Sequence, residues 1–311
     1  MFPHNQSNYI LDSAQQVFLS RQLEHVKAKS YDVIFAELKA PKLIPVSTEA
    51  GPGAEKITYR QYTMIGAAQF IANYATDFKR VDIAAEEFTV SVKSIGAAYG
   101  YSVQDIRAAI QAKVNLEQRR ANAAARAILQ QENSIAFNGD TSHNLNGFFT
   151  HPNVPNAAAP ADGTGGLTTF ASKTPDQIIR DVNNLINDIK TNTKEVENPD
   201  SVLFPTSIWS MLKSTPRSSN SDTTIAQFLM NNHPDIKNWD SVVELETAGT
   251  GSTRMMMAYT RNIDKVSLEI PQPYEVFPAQ QKGLDFEVPV HERIAGVIFY
   301  YPLSANKVYG I

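Results

Sequence analysis

The feature that most limits how this chain can fold is a long window without proline. The chain has 17 prolines in 311 residues, yet none lies between Pro52 and Pro152. Proline breaks helix interiors because it lacks an N–H group and clashes with the preceding turn. Its absence lets residues 103–138 form one uninterrupted helix of roughly 54 Å, at about 1.5 Å per residue. A compact chain of this size is only about 50 Å across, so such a spine favours a structural protein over an enzyme built around a pocket.

The ends of this predicted spine helix carry recognisable signals. Ser102 and Asp105 have the spacing of a capping box at the start, and Gly139 can adopt the left-handed conformation that ends helices. An apolar stripe should face inward, with alanines that allow close approach of neighbouring elements. Its residues are Val103, Ile106, Ile110, Val114, Ala121, Ala125, Ile128 and Ile135.

The spine helix also carries basic residues, which have two interpretations. Lys113 and Arg120 share one face, and Arg119 and Arg126 share an adjacent one. They form either a solvated face, neutralised by acids such as Glu132, or a surface that contacts DNA phosphates without reading sequence.

The composition is typical of a folded soluble protein, with 42% hydrophobic and 19% charged residues. No stretch approaches the roughly 20 apolar residues of a membrane span, and the N-terminus lacks the features of a secretion signal. The absence of cysteine excludes disulfides, thiol catalysis and cysteine-bound metals, and it fits synthesis inside a cell. The net charge of −4 argues against a dedicated, tight nucleic-acid binder but allows weak contact through a local basic face.

Two segments before the spine helix have no core of their own. Residues 1–40 form an arm with a weak helical pattern at 12–28. Residues 56–65 are rich in β-branched and aromatic side chains and can pair with the alternating strand around Phe88–Val92 as a long hairpin. We expect a tip of some 20 residues to contact a neighbouring subunit. The candidate interface residues in it are Phe70, Tyr74, Phe78, Lys79 and Arg80.

After the spine helix the pattern is mixed. Thr174 and Pro175 open a helix with an apolar stripe from Ile178 to Ile189. A short strand at 201–204, Pro205, a helix through Ile208, Trp209, Met211 and Leu212, a short helix at 223–231 and a strand at 241–246 follow. The chain should end in strands at 254–260, 265–270, 273–277, 284–290 and 294–301. Because no βαβ unit repeats, the sequence predicts an α+β fold.

A search for catalytic or cofactor motifs finds little. There is no phosphate-binding P-loop and no nucleophile elbow, and the glycine-rich segments 163–166 and 249–251 are incomplete as dinucleotide fingerprints. The best histidine cluster, His143 and His151 with Asp140, is more typical of a polar surface loop than of a metal site. We therefore predict no catalytic residue, no metal and no cofactor.

Other charged or sulfur-rich groups also receive structural interpretations. Glu86 and Glu87 should lie solvated at the hairpin tip, and Asp181 and Asp188 should form a solvated helix face. The segment 291–293, His-Glu-Arg, should be a solvated turn or a salt-bridging element between strands. Residues 255–257, three methionines, should be a buried core run.

Several segments resemble one known family. Residues 132–140, followed by Gly147 and Phe148, look like its helix end and the step after it. Residues 202–212 are similar to its strand, proline and helix, and 284–302 to its closing strands. The order of elements resembles the major capsid proteins of tailed bacteriophages, with the Hong Kong 97-type fold that encapsulin shells share.

That resemblance implies a domain organisation: an N-terminal arm (1–40), an extended loop (41–101), a peripheral domain (102–175 and 265–311) and an axial domain (176–264). It also implies hexamers and pentamers that meet neighbouring capsomers in an icosahedral shell around double-stranded DNA, held without sequence specificity. No long scaffold segment precedes residue 40, so scaffolding would be separate or absent; portal and decoration proteins are further expected partners. The shell would be part of a virion assembled in the bacterial cytoplasm, with no membrane contact.

Two alternatives remain open from the residues. One is an encapsulin-like compartment that encloses a cargo enzyme. The other is a soluble α+β enzyme whose site is formed by the 139–173 loop and its histidines.

Overall fold

A computed structural model describes residues 37–68, 70, 79–112, 116–218, 220 and 222–311. From Leu38 onward they belong to one compact unit. The helical pattern expected at 12–28 in the arm lies outside the described residues. Among the described helices, none combines the length and the apolar character that a bilayer crossing demands.

The fold combines six α-helices in the described ranges with strands in four sheets, as the α+β prediction requires. The helices are α1 (Ala40–Leu43), α2 (Val103–Ala112), α3 (Leu116–Asn138), α4 (Pro175–Asn192), α5 (Thr206–Ser214) and α6 (Ile225–Asn232). The predicted spine helix therefore corresponds to α2 and α3. Its continuity falls on residues 113–115, which lie outside the described residues.

The strands, numbered in chain order, are β1 (Val46–Ser47), β2 (Lys56–Ile65), β3 (Asp82–Ser91), β4 (Lys93–Ser102), β5 (Asn156–Ala158), β6 (Ser201–Pro205), β7 (Asn238–Val242), β8 (Met255–Tyr259), β9 (Val266–Glu269), β10 (Gln272–Val276), β11 (Gln280–Lys282), β12 (Asp285–Ile294), β13 (Gly296–Phe299) and β14 (Ala305–Tyr309). One sheet has the order β5-β14-β8-β6-β7, and another has β1-β9-β13. In a third, β12 pairs with β10, β11 and β4, while β2 and β3 form a separate two-stranded sheet.

The predicted helix starts are confirmed. At the start of α2, the Asp105 amide donates to Ser102 Oγ (3.1 Å) and the Ser102 amide donates back to Asp105 Oδ2 (3.3 Å). Thr174 and Gln177 form the same reciprocal arrangement at the start of α4, with Pro175 in the first turn. Each capping box satisfies two amides that have no partner inside the helix.

The C-terminal end of α3 is buried and reverses tightly. Gly139 ends the helix with a φ of +72°, and its amide donates to the Ile135 carbonyl (2.8 Å). The chain then returns along the helix end, where the Phe149 amide donates to the Phe137 carbonyl (3.0 Å). The two phenyl rings stack 5.0 Å apart. A Cβ at Gly147 would lie 2.2 Å from the Gly139 nitrogen, so this crossing of the two backbones requires glycine.

The five-stranded sheet separates two hydrophobic cores. Alternation along its strands sends Leu203 and Met257 into one core and Phe204 and Met256 into the other. A strand covered on both faces reads as a continuous apolar run. The prediction that the three methionines at 255–257 are a buried run is therefore confirmed.

Helices α4, α5 and α6 contribute to the second of these cores. The apolar stripe of α4 is buried as predicted, from Ile178 to Ile189. On the same side, Phe204 stacks on Trp209 at 5.3 Å and on Trp239 at 6.2 Å, with all three rings nearly parallel.

Several strand predictions need correction. The strand expected at 241–246 is β7, which starts at Asn238, and a 3-10 turn occupies 243–246. The strand expected at 284–290 extends to Ile294 as β12, which pairs with β4 along the whole length of both strands. The expected strand 294–301 is reduced to β13, and β11 and β14 were not foreseen. Strand β14 was missed because its sequence, Ala-Asn-Lys-Val-Tyr, is too polar to indicate a buried strand.

The inward stripe predicted for the spine helix is only partly correct. Ile128 and Ile135 on α3 are buried, whereas Ile106 and Ile110 on α2 are exposed. The reason is that α3 lies against β4 and β12 and enters the first core, while the α2 side chains extend beyond that cover.

The prediction that Asp181 and Asp188 form a solvated face is wrong for Asp181. Its carboxylate is buried against the fully buried Lys173 ammonium, and Arg180 donates to it as well (2.9 Å). Asp162 also approaches Lys173, at 3.3 Å. Only Asp188 is exposed. Burial of an ion pair in this way is tolerated because each charge has a partner.

Replacing Asp181 by Asn should strongly destabilise the chain, because it leaves the buried Lys173 ammonium with only Asp162 for compensation. We expect a loss of about 3 kcal/mol in the free energy of unfolding, measured by denaturant titration. The matched control is Asp188→Asn on the exposed side of the same helix, which should change it by less than about 0.5 kcal/mol. Equal effects of the two substitutions would contradict this account.

Replacing Gly147 by Ala should also be severe, because the new Cβ would collide with backbone atoms of residues 137–139 that cannot rotate away. We expect a cost of about 3 kcal/mol or more, seen as a lower melting temperature. At Gly53 an added Cβ meets no atom within 4 Å, so Gly53→Ala should melt like the unaltered chain. A normal melting temperature for Gly147→Ala would show that the backbone crossing is looser than described.

Candidate assembly surface

The hairpin formed by β2 and β3 is largely exposed along both strands. Its antiparallel register runs without a bulge from Lys56 opposite Ser91 to Ile65 opposite Asp82. Strand β2 has the predicted bounds, whereas β3 starts earlier than predicted, at Asp82, so the tip spans residues 66–81. The expectation that Glu86 and Glu87 lie at the tip is therefore wrong: both are in β3, where Glu87 accepts from Arg60 Nε (2.7 Å).

One face of the hairpin is anchored to the body, but only near its base. Tyr59 stacks on Phe88 across the strands (5.3 Å) and meets the Tyr300 ring edge-on (5.1 Å). Ile57 and Val90, the next pair toward the base on this face, are half-buried. A cavity of about 510 Å³ beside this contact is lined by residues that include Thr58, Tyr59 and Tyr300.

The other face of the hairpin carries apolar side chains near the tip. Tyr62, Met64 and Ile83, which we call the distal patch, share this face because Met64 lies directly opposite Ile83 and Tyr62 is two residues away. Met64 is 75% exposed and Ile83 67% exposed. Exposed apolar groups clustered in this way are a feature of surfaces that another protein covers.

The predicted interface residues only partly fall in the described region. Phe70, Lys79 and Arg80 are exposed around the tip, and Tyr74 and Phe78 lie outside the described residues. The distal patch was not predicted. A signal existed, because the apolar positions of β2 change from odd numbers at Ile57 and Tyr59 to even numbers at Tyr62 and Met64, so each face receives apolar groups.

The predicted DNA-facing residues occupy different environments. Arg119 is exposed on α3, and Arg126 is half-buried with its Nε shielded from solvent. Arg120 donates to the Gly100 carbonyl (2.6 Å) and to Asp105 Oδ2 (3.0 Å), and this hydrogen bond is the main reason that the pKa of Asp105 is lowered. Lys113 lies outside the described residues.

The 139–173 loop does not form a catalytic triad, although Asp140, Ser142 and His143 are in contact. His143 Nδ1 lies 2.6 Å from Asp140 Oδ2 and 3.1 Å from Ser142 Oγ. A serine–histidine–aspartate relay requires the serine and the acid on opposite ring nitrogens, so this is a local turn. The hydrogen bond from Ser142, then that of His143, lowers the pKa of Asp140 to about 2.

His151, the other histidine of that loop, is buried, which corrects the prediction of a polar surface position. Burial, with the nearby Lys307 charge, lowers its pKa to about 4. Lys307 Nζ donates to the carbonyls of Phe149 (3.1 Å) and His151 (2.9 Å), and burial lowers its pKa to about 8. Within the described ranges, no group of three His, Cys, Asp or Glu side chains could hold a metal ion.

Comparison with known proteins gives one consistent result. A family model described as "Major capsid protein" matches residues 66–311, and no curated protein matches the chain. The capsid of the Myoviridae phage XM1 is similar in structure, with a TM-score of 0.80 at 21% identity over 94% of this chain and 98% of that one. The capsid of a native GTA particle (TM-score 0.65, 10% identity, 96% and 99% covered) and a virus-like particle from Pyrococcus furiosus (0.54, 10%, 86% and 90%) are also similar.

Replacing Tyr59 by Ala should loosen the hairpin base, because it removes the cross-strand stacking on Phe88 and the edge-on contact with Tyr300 that holds this face to the body. We expect faster hydrogen exchange of the β2 and β3 amides in the unassembled chain, by about tenfold for a loss of about 1.4 kcal/mol. The control is Tyr62→Ala, on the opposite face of the same strand, which should leave exchange unchanged. Similar exchange in both variants would mean that the Tyr59 contacts do not anchor the hairpin.

Proposed function

This chain belongs to the major capsid protein family, whose members build the shell of a virus particle, and we propose that its copies close an icosahedral shell around double-stranded phage DNA. The distal patch is the observation that carries the proposed mode of assembly. We assign it to the contact between each hairpin and a neighbouring copy of the chain.

The physical support for this assignment is that the hairpin cannot bury both of its faces on its own body. Tyr59 and Phe88 are covered at the base, whereas the described residues leave Met64 and Ile83 largely exposed. An isolated two-stranded ribbon is marginal in water. Many copies laid over one another would bury these side chains, and each weak contact would reinforce the others as a closed ring of subunits forms. Hexamers and pentamers of neighbouring capsomers are the expected units.

We assign the inner, DNA-facing surface to the basic residues of the spine helix: Lys113, Arg119, Arg120 and Arg126. Contact with phosphates needs no sequence reading and weakens steeply with salt, which suits a net charge of −4 and a container that must release its contents. Arg120 contributes least in this proposal, because Asp105 already offsets its charge.

The proposed domains remain those of the sequence resemblance: an arm (1–40), an extended loop (41–101), a peripheral domain (102–175 and 265–311) and an axial domain (176–264). The pairing of β4 with β12 supports placing the closing strands with the spine helix, since it joins these distant segments. The five-stranded sheet only partly supports the axial domain, because two of its strands, β5 and β14, lie outside residues 176–264.

In this proposal the protein has no catalytic role and no cofactor, and it acts by geometry. Its shell forms the virion capsid and is assembled in the bacterial cytoplasm, with separate scaffolding, portal and decoration proteins as partners. An encapsulin-like compartment is less favoured, since the family model that matches residues 66–311 is that of a major capsid protein. Protein cargo instead of DNA inside recovered particles would reverse that order.

Replacing Met64 by Asp should block assembly without unfolding the subunit, because it places a charge in the distal patch at a position that is 75% exposed in the single chain. We expect shells of the unaltered chain, but slowly sedimenting species of the variant, by analytical centrifugation and negative-stain microscopy. The melting temperature of the unassembled subunit should change by less than the equivalent of about 0.5 kcal/mol.

The matched control is Thr58→Asp, which introduces the same side chain on the same strand and face but nearer the base. It should still form shells. Normal shells from Met64→Asp would remove the distal patch from the subunit contact. An unaltered chain that stays monomeric at high concentration would contradict shell formation itself.

A further inference from the structure

Two glutamates meet inside the joint between the spine helix and the four-stranded sheet. Glu292 lies in β12, where alternate residues from Val288 to Ile294 are buried, and it is only 1% exposed. It stands opposite Ile95 of β4. Glu132 lies on α3 between Ile128 and Ile135, on the buried face of the helix. The expectation that 291–293 forms a solvated turn or salt bridge, and that Glu132 neutralises a basic face, is therefore wrong.

The described residues give Glu292 no partner other than Glu132. Both carboxyl oxygens of Glu292 are shielded from solvent and accept no hydrogen bond from the described residues. Within those ranges, the polar group in contact with Glu292 is the carboxyl of Glu132. Two carboxylates cannot donate to each other, so with both ionised this contact is a repulsion between buried charges. A single proton converts it into a hydrogen bond.

Within the described residues, the surroundings of the pair are mainly apolar. Around the pair, Ala124, Ile128 and Val290 form an apolar cluster with Tyr274 of β10 packed against it. Lys93 lies on the face of β4 that carries Ile95. It is two residues from Ile95 and stands opposite Ile294, the last residue of β12. On α3, Arg126 is six residues from Glu132, so the two side chains leave the helix axis in directions that differ by roughly 120°.

The remaining charged groups on neighbouring elements face elsewhere. His291 and Arg293 alternate to the opposite side of β12, where His291 contacts Phe277 and Arg293 donates to the Pro52 carbonyl. Glu244 of the 3-10 turn accepts from Asn133, next to Glu132 (2.9 Å), and α1 contributes only an amide to Asn133. A divalent cation would need about six oxygens, whereas two carboxyls in an apolar cluster fit a proton.

We propose that Glu132 and Glu292 share one proton at neutral pH, and that this proton acts as a clamp that holds the spine helix on the sheet and is released in alkali. Both residues belong to one chain, so the clamp does not depend on the proposed assembly. It makes the attachment of α3 to β12 sensitive to pH above neutrality.

The direction of the pH effect follows from the proton affinities. Burial, followed by the charge and hydrogen bond of Glu132, raises the pKa of Glu292 from its ordinary 4.5 to about 8. Burial also raises the pKa of Glu132, against the hydrogen bond from Glu292. Between pH 4.5 and pH 8 the folded chain holds a proton that the unfolded chain has lost. Stability must therefore fall as pH rises through this window and level off above it.

The test is denaturant unfolding of the unassembled full chain from pH 5 to pH 9. This one site should lower the folding equilibrium constant by close to tenfold per pH unit between about pH 5 and 8. Glu292→Gln keeps a donor for Glu132 at every pH, so the variant should lose this slope. Glu287→Gln, at a half-buried position on the same strand that pairs with Lys282, is the control and should keep it. An equal slope in Glu292→Gln and in the unaltered chain would overturn the proposal.

An infrared titration covers the case in which Glu292→Gln does not fold, because it needs only the unaltered chain. We expect one protonated carboxyl per chain to persist at pH 7 and to ionise with a midpoint near pH 8. Complete ionisation of all carboxyls by pH 6 would overturn the proposal. A melting temperature at pH 9 that rises with added Ca²⁺ or Mg²⁺, and does so less in Glu132→Gln, would also overturn it, in favour of a cation site.

Discussion

The structure depends above all on how the end of the spine helix is buried. Phe137 at the helix end stacks on Phe149 after the turn, while Phe148 contacts Tyr259 and Phe299 on strands β8 and β13. The hydroxyl of Tyr259 donates to the Leu43 carbonyl (2.8 Å) beside α1. This cluster of aromatic side chains therefore connects α1, the end of α3 and strands β8 and β13. Because interiors are packed as densely as crystals, the helix direction is fixed by this group.

A rigid helix end gives the rest of the molecule a fixed reference. Strand β4 directly precedes the spine helix, whereas β12 comes late in the chain. The two strands pair along their whole length, so segments that precede and follow the spine helix both belong to the sheet that supports it. Among the described residues, the hairpin contacts the body near its base, where Tyr59 meets Tyr300. It is a projecting element on a rigid support, which is the arrangement that a shell subunit needs to reach a neighbour without distorting its own core.

Much of this could be predicted from local signals. The two capping boxes, the glycine stop at Gly139 and the apolar stripe of α4 depend on residues close in sequence, and each appears where expected. The hairpin was also predicted, but the distal patch was not, because single-chain reasoning assigns one buried face to each strand. In β2 both faces carry apolar groups, and the described residues do not cover the second face near the tip.

Buried charges were the other systematic error. The sequence analysis expected Asp181 and Glu292 in solvent and did not consider Lys307. All three are buried. Their compensation comes from folding: Asp181 meets Lys173 through a helix start, Glu292 meets Glu132 160 positions away, and Lys307 meets two carbonyls of a distant loop. A sequence shows the charge but not the group that makes its burial tolerable.

The stacking of Phe204, Trp209 and Trp239 has a practical consequence. The chain has two tryptophans, and both lie in this one stack beside the five-stranded sheet. Intrinsic fluorescence is therefore a local probe of that side of the molecule. A change in fluorescence reports loss of packing around the two tryptophans. It does not report rearrangements of the β2–β3 hairpin or of the spine helix, which require labels attached to those elements.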